Sequence, residues 1–338
     1  MQGLQNLGST CAINSLIQII CRNDHLRQII LNDEIPNGTL SSELKEILDM
    51  MHNNNHSLSP RKFVSHLYKH FEGVFQQGEQ IDIGELWMFL FDKLATELAH
   101  NIVDINTENV NTVINIDTLD NISMASHTGL HLQCQNTMNK FNNNKTSKWL
   151  DTSQGIMLSI TKCNECNDSH YNFEPFITIP LDIPQEGSVS IAMMFRNYLK
   201  AQISCGDWKC SKCAKCTEYT KYLKIWKMPK VLVFIIKRFS NIHTKIRTPI
   251  SINKTLSVKK GSILADIAQD YKYECSSIGY HFGDLFGGHY CALCKIDDKY
   301  ILYDDLSINI INEEQTKKAF DKSDDCYMLV YTLNQGGT

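Results

Sequence analysis

The chain has 338 residues, of which 43% are hydrophobic and 21% charged, with 33 Lys and Arg against 37 Asp and Glu. That length and balance suit a globular protein with a core of its own and exclude a largely disordered chain. A net charge of −4 gives no general attraction to nucleic acid or to an anionic membrane.

In chain order, a turn over Asn6–Gly8 precedes a first helix beginning at Cys11, where Ile13, Leu16, Ile17 and Ile20 share one face. Either Ser9 or Thr10 suits the N-cap. Further helices are expected over 44–51, 60–67 and 82–98, the last with Leu86, Phe89, Leu90 and Leu94 apolar. Residues 101–150 are rich in Asn and Thr, with weak periodicity, and read as an irregular insert. From about 155 the pattern changes to short strands at 156–160, 176–181, 231–236, 290–296 and 327–331. Helices first and strands afterwards predict an α+β fold. The longest apolar run, Val231–Ile236, stops at Lys237 and Arg238, short of the roughly 20 residues that cross a bilayer. Met1–Asn6 lacks the basic and apolar parts of a secretory signal, so an intracellular protein of cytoplasm or nucleus is expected. In that setting thirteen cysteines point to metal ligands and a reactive thiol, not to a disulfide framework.

Cys11 falls in the first turn of its helix, where the dipole favours thiolate. A cysteine nucleophile also needs a base and a group to orient that base. His289 follows two glycines and opens a strand, and the acidic pair Asp304-Asp305 ends the next one. A hairpin of these two strands would set Asp304 beside the imidazole. Taken singly, each of these residues is also an ordinary core cysteine, an exposed histidine or a turn.

Together they carry a resemblance. Gly3-Leu-Gln-Asn-Leu-Gly-Ser-Thr-Cys-Ala-Ile-Asn14 resembles the cysteine box of the ubiquitin-specific proteases, and Gly288-His-Tyr290 with Tyr303-Asp-Asp305 resembles their histidine box. Between these, in family order, lie Gln80-Ile-Asp-Ile-Gly-Glu-Leu86, two CxxC pairs, Pro229–Phe239 and Cys326–Tyr331. The resemblance implies a papain-like fold with thumb, palm and zinc-ribbon fingers, as one catalytic domain over 1–335. The thumb would occupy about 1–150, with fingers and palm over about 151–335. It implies a deubiquitinase that cleaves isopeptide or peptide bonds at the terminal glycine of ubiquitin through a thioester. Cys11 would be nucleophile, His289 base and then acid, and Asp304 the orienting group, with Asp305 a supporting acid. Asn6 would donate to the oxyanion, a contribution of roughly 3 to 4 kcal/mol in such sites. Two departures concern positioning: Ser9 stands where the family usually has Asn, and Ala12 where it has an aromatic residue.

Cys163/Cys166 and Cys210/Cys213 form two CxxC pairs suited to a closed tetrahedral zinc site. Cys205 and Cys216 flank the second pair, and Cys213/Cys216 is an alternative register; Trp208 favours Cys210/Cys213 by likeness to the family pattern. The zinc would be structural. The ubiquitin tail, with two arginines before Gly-Gly, needs carboxylates and a narrow channel. Asp82 matches the family's tail-binding acid, and Glu85 would share its helical face. Tyr290 and Gly288 would line the channel, and the segment His281–Gly288 would act as a lid. The expected partners are ubiquitin and ubiquitinated proteins, with no membrane, no nucleic acid and a monomeric state. Alternatives are a catalytically silent ubiquitin-binding scaffold, a protease for another ubiquitin-like modifier, or a zinc-ribbon nucleic-acid binder, the last opposed by the charge.

Overall fold

The computed structural model describes residues 2–53, 58–101, 127–185, 189–206, 208–215, 218–239, 244–259, 270–284 and 287–334. The helical part holds α1 (Cys11–Arg22), α2 (Asp24–Asn32), α3 (Leu40–Asn53), α4 (Arg61–His70) and α5 (Ile83–Glu97). A two-residue strand pair, β1 (His100–Asn101) and β2 (Lys145–Thr146), brackets α6 (His127–Phe141), and α7 (Lys148–Ser153) follows. Then come β3 (Gly155–Cys163), β4 (Ser169–Phe176), β5 (Ile179–Asp182), α8 (Ile191–Tyr198), β6 (Gln202–Ser204), β7 (Tyr219–Lys227) and β8 (Val231–Lys237). The chain closes with β9 (Thr255–Val258), β10 (Tyr271–Asp284), β11 (Gly287–Ile296), β12 (Lys299–Asp304), β13 (Ser307–Ile311), α9 (Glu313–Asp321) and β14 (Cys326–Leu333).

The larger sheet runs β13-β12-β11-β10-β14-β8-β5, with β9 added to β10; a second sheet runs β4-β3-β7-β6. Within the larger sheet only β5–β8 is parallel among the described pairings. The apolar run of β8 has its reason here. Val231 and Val233 face the core shared with the helices, while Leu232, Phe234 and Ile236 face the core on the other side of the sheet. A strand covered on both faces does not alternate with polar residues.

α1 crosses the helical face of this sheet against β11. The sequence predicts one apolar face, but every residue from Cys11 to Cys21 is buried, polar ones included. The buried amides have partners in the segment ahead of the helix. Asn14 Nδ2 lies 3.4 and 3.3 Å from the carbonyls of Leu4 and Gln5, and Gln18 Nε2 donates to Gln2 O at 2.8 Å. The nitrogens of both buried amides are thus paired, while Asn14 Oδ1 and Gln18 Oε1 have no hydrogen-bond partner among the described residues, and the bonds fasten residues 2–5 along the helix.

The insert read as irregular over 101–150 is partly helical. α6 and α7 lie within it, and residues 102–126 fall outside the described set. Leu130, Cys134 and Met138, four apart, form a narrow apolar stripe against Ile156, Leu158, Phe173 and Trp226 of the smaller sheet. A stripe one residue wide, flanked by polar positions, gives little periodic signal. Glu97, at the end of α5, accepts from Ser41 N at 2.8 Å and Ser41 Oγ at 2.7 Å, tying α5 to the start of α3.

Candidate active site

The loop before α1 is shaped by two consecutive left-handed residues, Gly8 (φ 100°) and Ser9 (φ 54°). This turn folds the backbone around Asn6, whose Oδ1 accepts from Gly8 N at 3.0 Å, Thr10 N at 3.3 Å and Thr10 Oγ1 at 3.3 Å. Thr10 stands at the N-cap position but makes no side-chain cap; its Oγ1 instead accepts from Leu7 N at 2.9 Å. The family's usual Asn at position 9 suits a positive φ better than serine does. Cys11 follows as the first residue of α1, 3% exposed.

The second part of the site is the β11–β12 hairpin. His289 Nε2 and Asp304 Oδ1 are 2.5 Å apart, with side chains 42% and 47% exposed. Asp305 turns the other way, in a left-handed conformation (φ 50°). Its two oxygens accept from Asn14 Nδ2 at 2.7 Å and Asn6 Nδ2 at 2.9 Å. Its backbone carbonyl accepts from Leu4 N at 2.8 Å. Asp305 therefore joins the hairpin to the cysteine loop, with a carboxylate oxygen within 4.8 Å of both the His289 ring and the Asp304 carboxylate. Burial pushes the Cys11 thiol up from its ordinary range; the Tyr290 backbone amide opposes this and the Asp305 carboxylate adds to it. Among the described residues no hydrogen bond links Cys11 to His289.

Asp82 is the N-cap of α5: its Oδ1 accepts from Glu85 N at 2.9 Å. Its Oδ2 accepts from Tyr327 Oη at 2.5 Å and lies 3.4 Å from Tyr290 Oη. Burial, and then the Asp82 charge, push both phenols upward, so they remain donors. Glu85 sits in the first turn of α5 with its side chain exposed. His281 is buried, and its ring lies 4.6 Å from that of Tyr290; burial, followed by the Lys245 charge, lowers its pKa.

The expected lid is the tip of the β10–β11 hairpin, whose residues 285–286 lie outside the described set. Gly283 (φ 95°) faces Gly288 across it. A Cβ on Gly288 would lie 2.1 Å from His281 Nε2, so only glycine fits this close approach. Asn14 and Tyr327 were not legible as site residues. The available signal for Asn14 was an amide in an otherwise apolar helix start.

Cys163, Cys166, Cys210 and Cys213 have their sulfurs within 4.8 Å of one another. Each pair forms the same knuckle. Asn167 N donates to Cys163 O at 3.0 Å and Ala214 N to Cys210 O at 2.9 Å, with Asn167 at φ 58° and Ala214 at φ 55°. Cys163 N returns to Asp168 O and Cys210 N to Lys215 O. The cluster thus uses the Cys210/Cys213 register; Cys205 is exposed, and Cys216 lies outside the described residues. The Asp168 amide lowers the Cys166 thiol, but desolvation and the facing sulfurs outweigh it and push it up to about 12.

The profile of one family, described as ubiquitin carboxyl-terminal hydrolase, matches residues 2–331. Among curated relatives, ubiquitin carboxyl-terminal hydrolase 2 of Gallus gallus is 27% identical over 98% of this chain and 93% of its own length. Usp2 of Drosophila melanogaster is 26% identical over 97% of this chain, which spans 34% of that protein. For ubiquitin carboxyl-terminal hydrolase 4 of Saccharomyces cerevisiae the figures are 26%, 97% and 39%. A solved SAGA DUB module, Ubp8 with Sgf11, Sus1 and Sgf73 bound to monoubiquitin, superposes with a TM-score of 0.72 at 21% identity, covering 99% of this chain and 69% of that one. From Gln2 to Tyr331, then, this chain belongs to the ubiquitin carboxyl-terminal hydrolase family, in its ubiquitin-specific protease fold.

Proposed function

We propose that this chain is a deubiquitinase, hydrolysing isopeptide and peptide bonds after the terminal glycine of ubiquitin, and that residues 1–335 form one catalytic unit. The observation that carries this is the pairing of the Asn6–Cys11 loop with the His289–Asp304 hairpin through Asp305. Asp304 engages Nε2 and leaves Nδ1 as the nitrogen to take the thiol proton. The thiolate attacks the glycine carbonyl, and the oxyanion accepts from the Asn6 amide and the Cys11 N–H. The imidazolium protonates the leaving amine, and the C–N bond breaks to leave a thioester on Cys11. Water, deprotonated by His289, then attacks; the C–S bond breaks and the thiol is restored.

Burial, which raises the pKa of the Cys11 thiol, favours its neutral form at rest. Asp82, Tyr290 and Gly288 would receive the tail, with Glu85 on the approach and His281 behind the glycines. An ionised carboxylate has about four acceptor sites, and three on Asp82 are occupied. One remains for an arginine.

The four cysteines fit zinc. Tetrahedral Zn–S bonds of about 2.3 Å place sulfurs about 3.8 Å apart, and Cys166–Cys210 and Cys163–Cys213 are 3.6 and 3.9 Å apart. Bound zinc would hold the β3–β4 turn and the β6–β7 connection together as a structural crosslink. Among the described residues no helix is long and apolar enough to cross a membrane; a monomer of cytoplasm or nucleus remains the reading.

The test is labelling by ubiquitin bearing a C-terminal electrophile, run beside Cys11→Ala and beside turnover of di-ubiquitin. One adduct on Cys11 and turnover abolished in the variant are expected. A folded protein that binds ubiquitin without labelling would establish the scaffold instead, and preference for another modifier's probe would reassign the substrate.

A further inference from the structure

β11 pairs with β12 only from Ala292 onward, so on that side its stretch from Gly287 to Cys291 runs beyond its neighbour. One side chain takes the exposed backbone groups of Gly288. Gly288 N donates to Gln80 Oε1 at 2.9 Å, and Gln80 Nε2 donates to Gly288 O. A primary amide facing the N–H and C=O of one residue in this way closes a two-bond ring, the contact a neighbouring strand would otherwise supply. The α-carbon of Gly288 meanwhile abuts His281, with no room for a Cβ. The peptide immediately before His289 is therefore held both by the palm and by the helical part of the molecule. Gln80 lies two residues ahead of the α5 cap, Asp82.

We propose that Gln80 is a positioning residue for the imidazole. By pairing with the Gly288 peptide it fixes the His289 backbone relative to α5 and α1, and so the approach of the ring to Cys11. The inference rests on His289 acting as the base in the proposed reaction. Gln80 does not touch the reacting atoms, and its loss acts on the chemical step more than on tail binding.

The experiment measures kcat and KM of the full chain on ubiquitin carrying a C-terminal fluorogenic amide, from pH 4.5, near the ordinary Glu pKa of about 4.3, to pH 8.5, for wild type, Gln80→Ala and Gln80→Glu. Displacement of a base by a fraction of an ångström predicts a kcat about tenfold lower for Gln80→Ala, with KM within about twofold. At pH 8 the Gln80→Glu carboxylate accepts from Gly288 N–H but repels its carbonyl, so that variant is slow as well. Once protonated, its carboxyl offers one O–H and one C=O in the arrangement of the amide. The ratio of Gln80→Glu to wild-type kcat therefore rises as pH falls. A side chain that served stability alone would change the melting temperature and leave that ratio flat. Unchanged kcat in Gln80→Ala, or a pH-independent ratio for Gln80→Glu, overturns the inference while the deubiquitinase reading stands. A folded wild type with no turnover overturns both.

Discussion

Asp82 has a structural task and, in the proposed function, a recognition task, and two substitutions separate them. Asp82→Ala removes the acceptor for Glu85 N, a cap worth about 1 kcal/mol. It also removes the charged acceptor of the Tyr327 hydroxyl at 2.5 Å, worth about 1.5 to 3 kcal/mol. The contact with Tyr290 at 3.4 Å is long enough to add little. A loss of about 3 kcal/mol follows for Asp82→Ala. Asp82→Asn keeps Oδ1 for the cap, and its amide donates to a phenol oxygen turned to accept, which limits the loss to about 1 kcal/mol. Both variants lack the charge offered to a tail arginine. Each should raise KM for ubiquitin-amide about tenfold, equivalent to about 1.4 kcal/mol, with kcat little changed. Urea unfolding and steady-state kinetics read the two effects independently. If Asn destabilises as much as Ala, the bonding argument fails; if neither variant alters KM, Asp82 does not read the tail.

Three further outcomes are expected. The protein should carry one zinc per chain by elemental analysis; Cys210→Ser should lower that content and expose the β6–β7 region to limited proteolysis, whereas equal zinc in the variant would exclude these ligands. Alkylation of Cys11 by iodoacetamide in the free protein should still be climbing at a pH where an ordinary thiol has levelled off, because burial raises its pKa. Asp305→Asn, which removes a raising charge, should shift that profile toward acid, and a plateau already reached at pH 7 would contradict the assignment. Gly288→Ala forces a methyl group onto His281, so turnover should fall by more than about tenfold with a smaller change in stability. Wild-type kinetics in that variant would show that the hairpin tip adjusts freely.

Much of the architecture was legible because its signals are local. The apolar spacing of Ile13, Leu16, Ile17 and Ile20, the β-branched run at 231–236, and the switch from helical to strand patterning near 155 each report burial of a face. The histidine and the first aspartate were legible as a pair because a hairpin joins them. What escaped depends on contacts distant in sequence. Nothing near Asn14 shows that its amide ends on Asp305, and nothing in the closing strand shows that Tyr327 reaches Asp82. Asp82 was legible as an acidic residue at the start of a helix, but its cap bond and its two tyrosine donors were not. α6 was missed because its apolar stripe is one residue wide.

The attachment of Leu4, Asn6 and Asn14 to Asp305 has a consequence for biosynthesis. The sulfur is translated well before the residues that position its surroundings. A nascent chain on the ribosome holds an unassembled centre until Asp305 has emerged. A product truncated before Asp305 keeps the cysteine but lacks the carboxylate that anchors its loop.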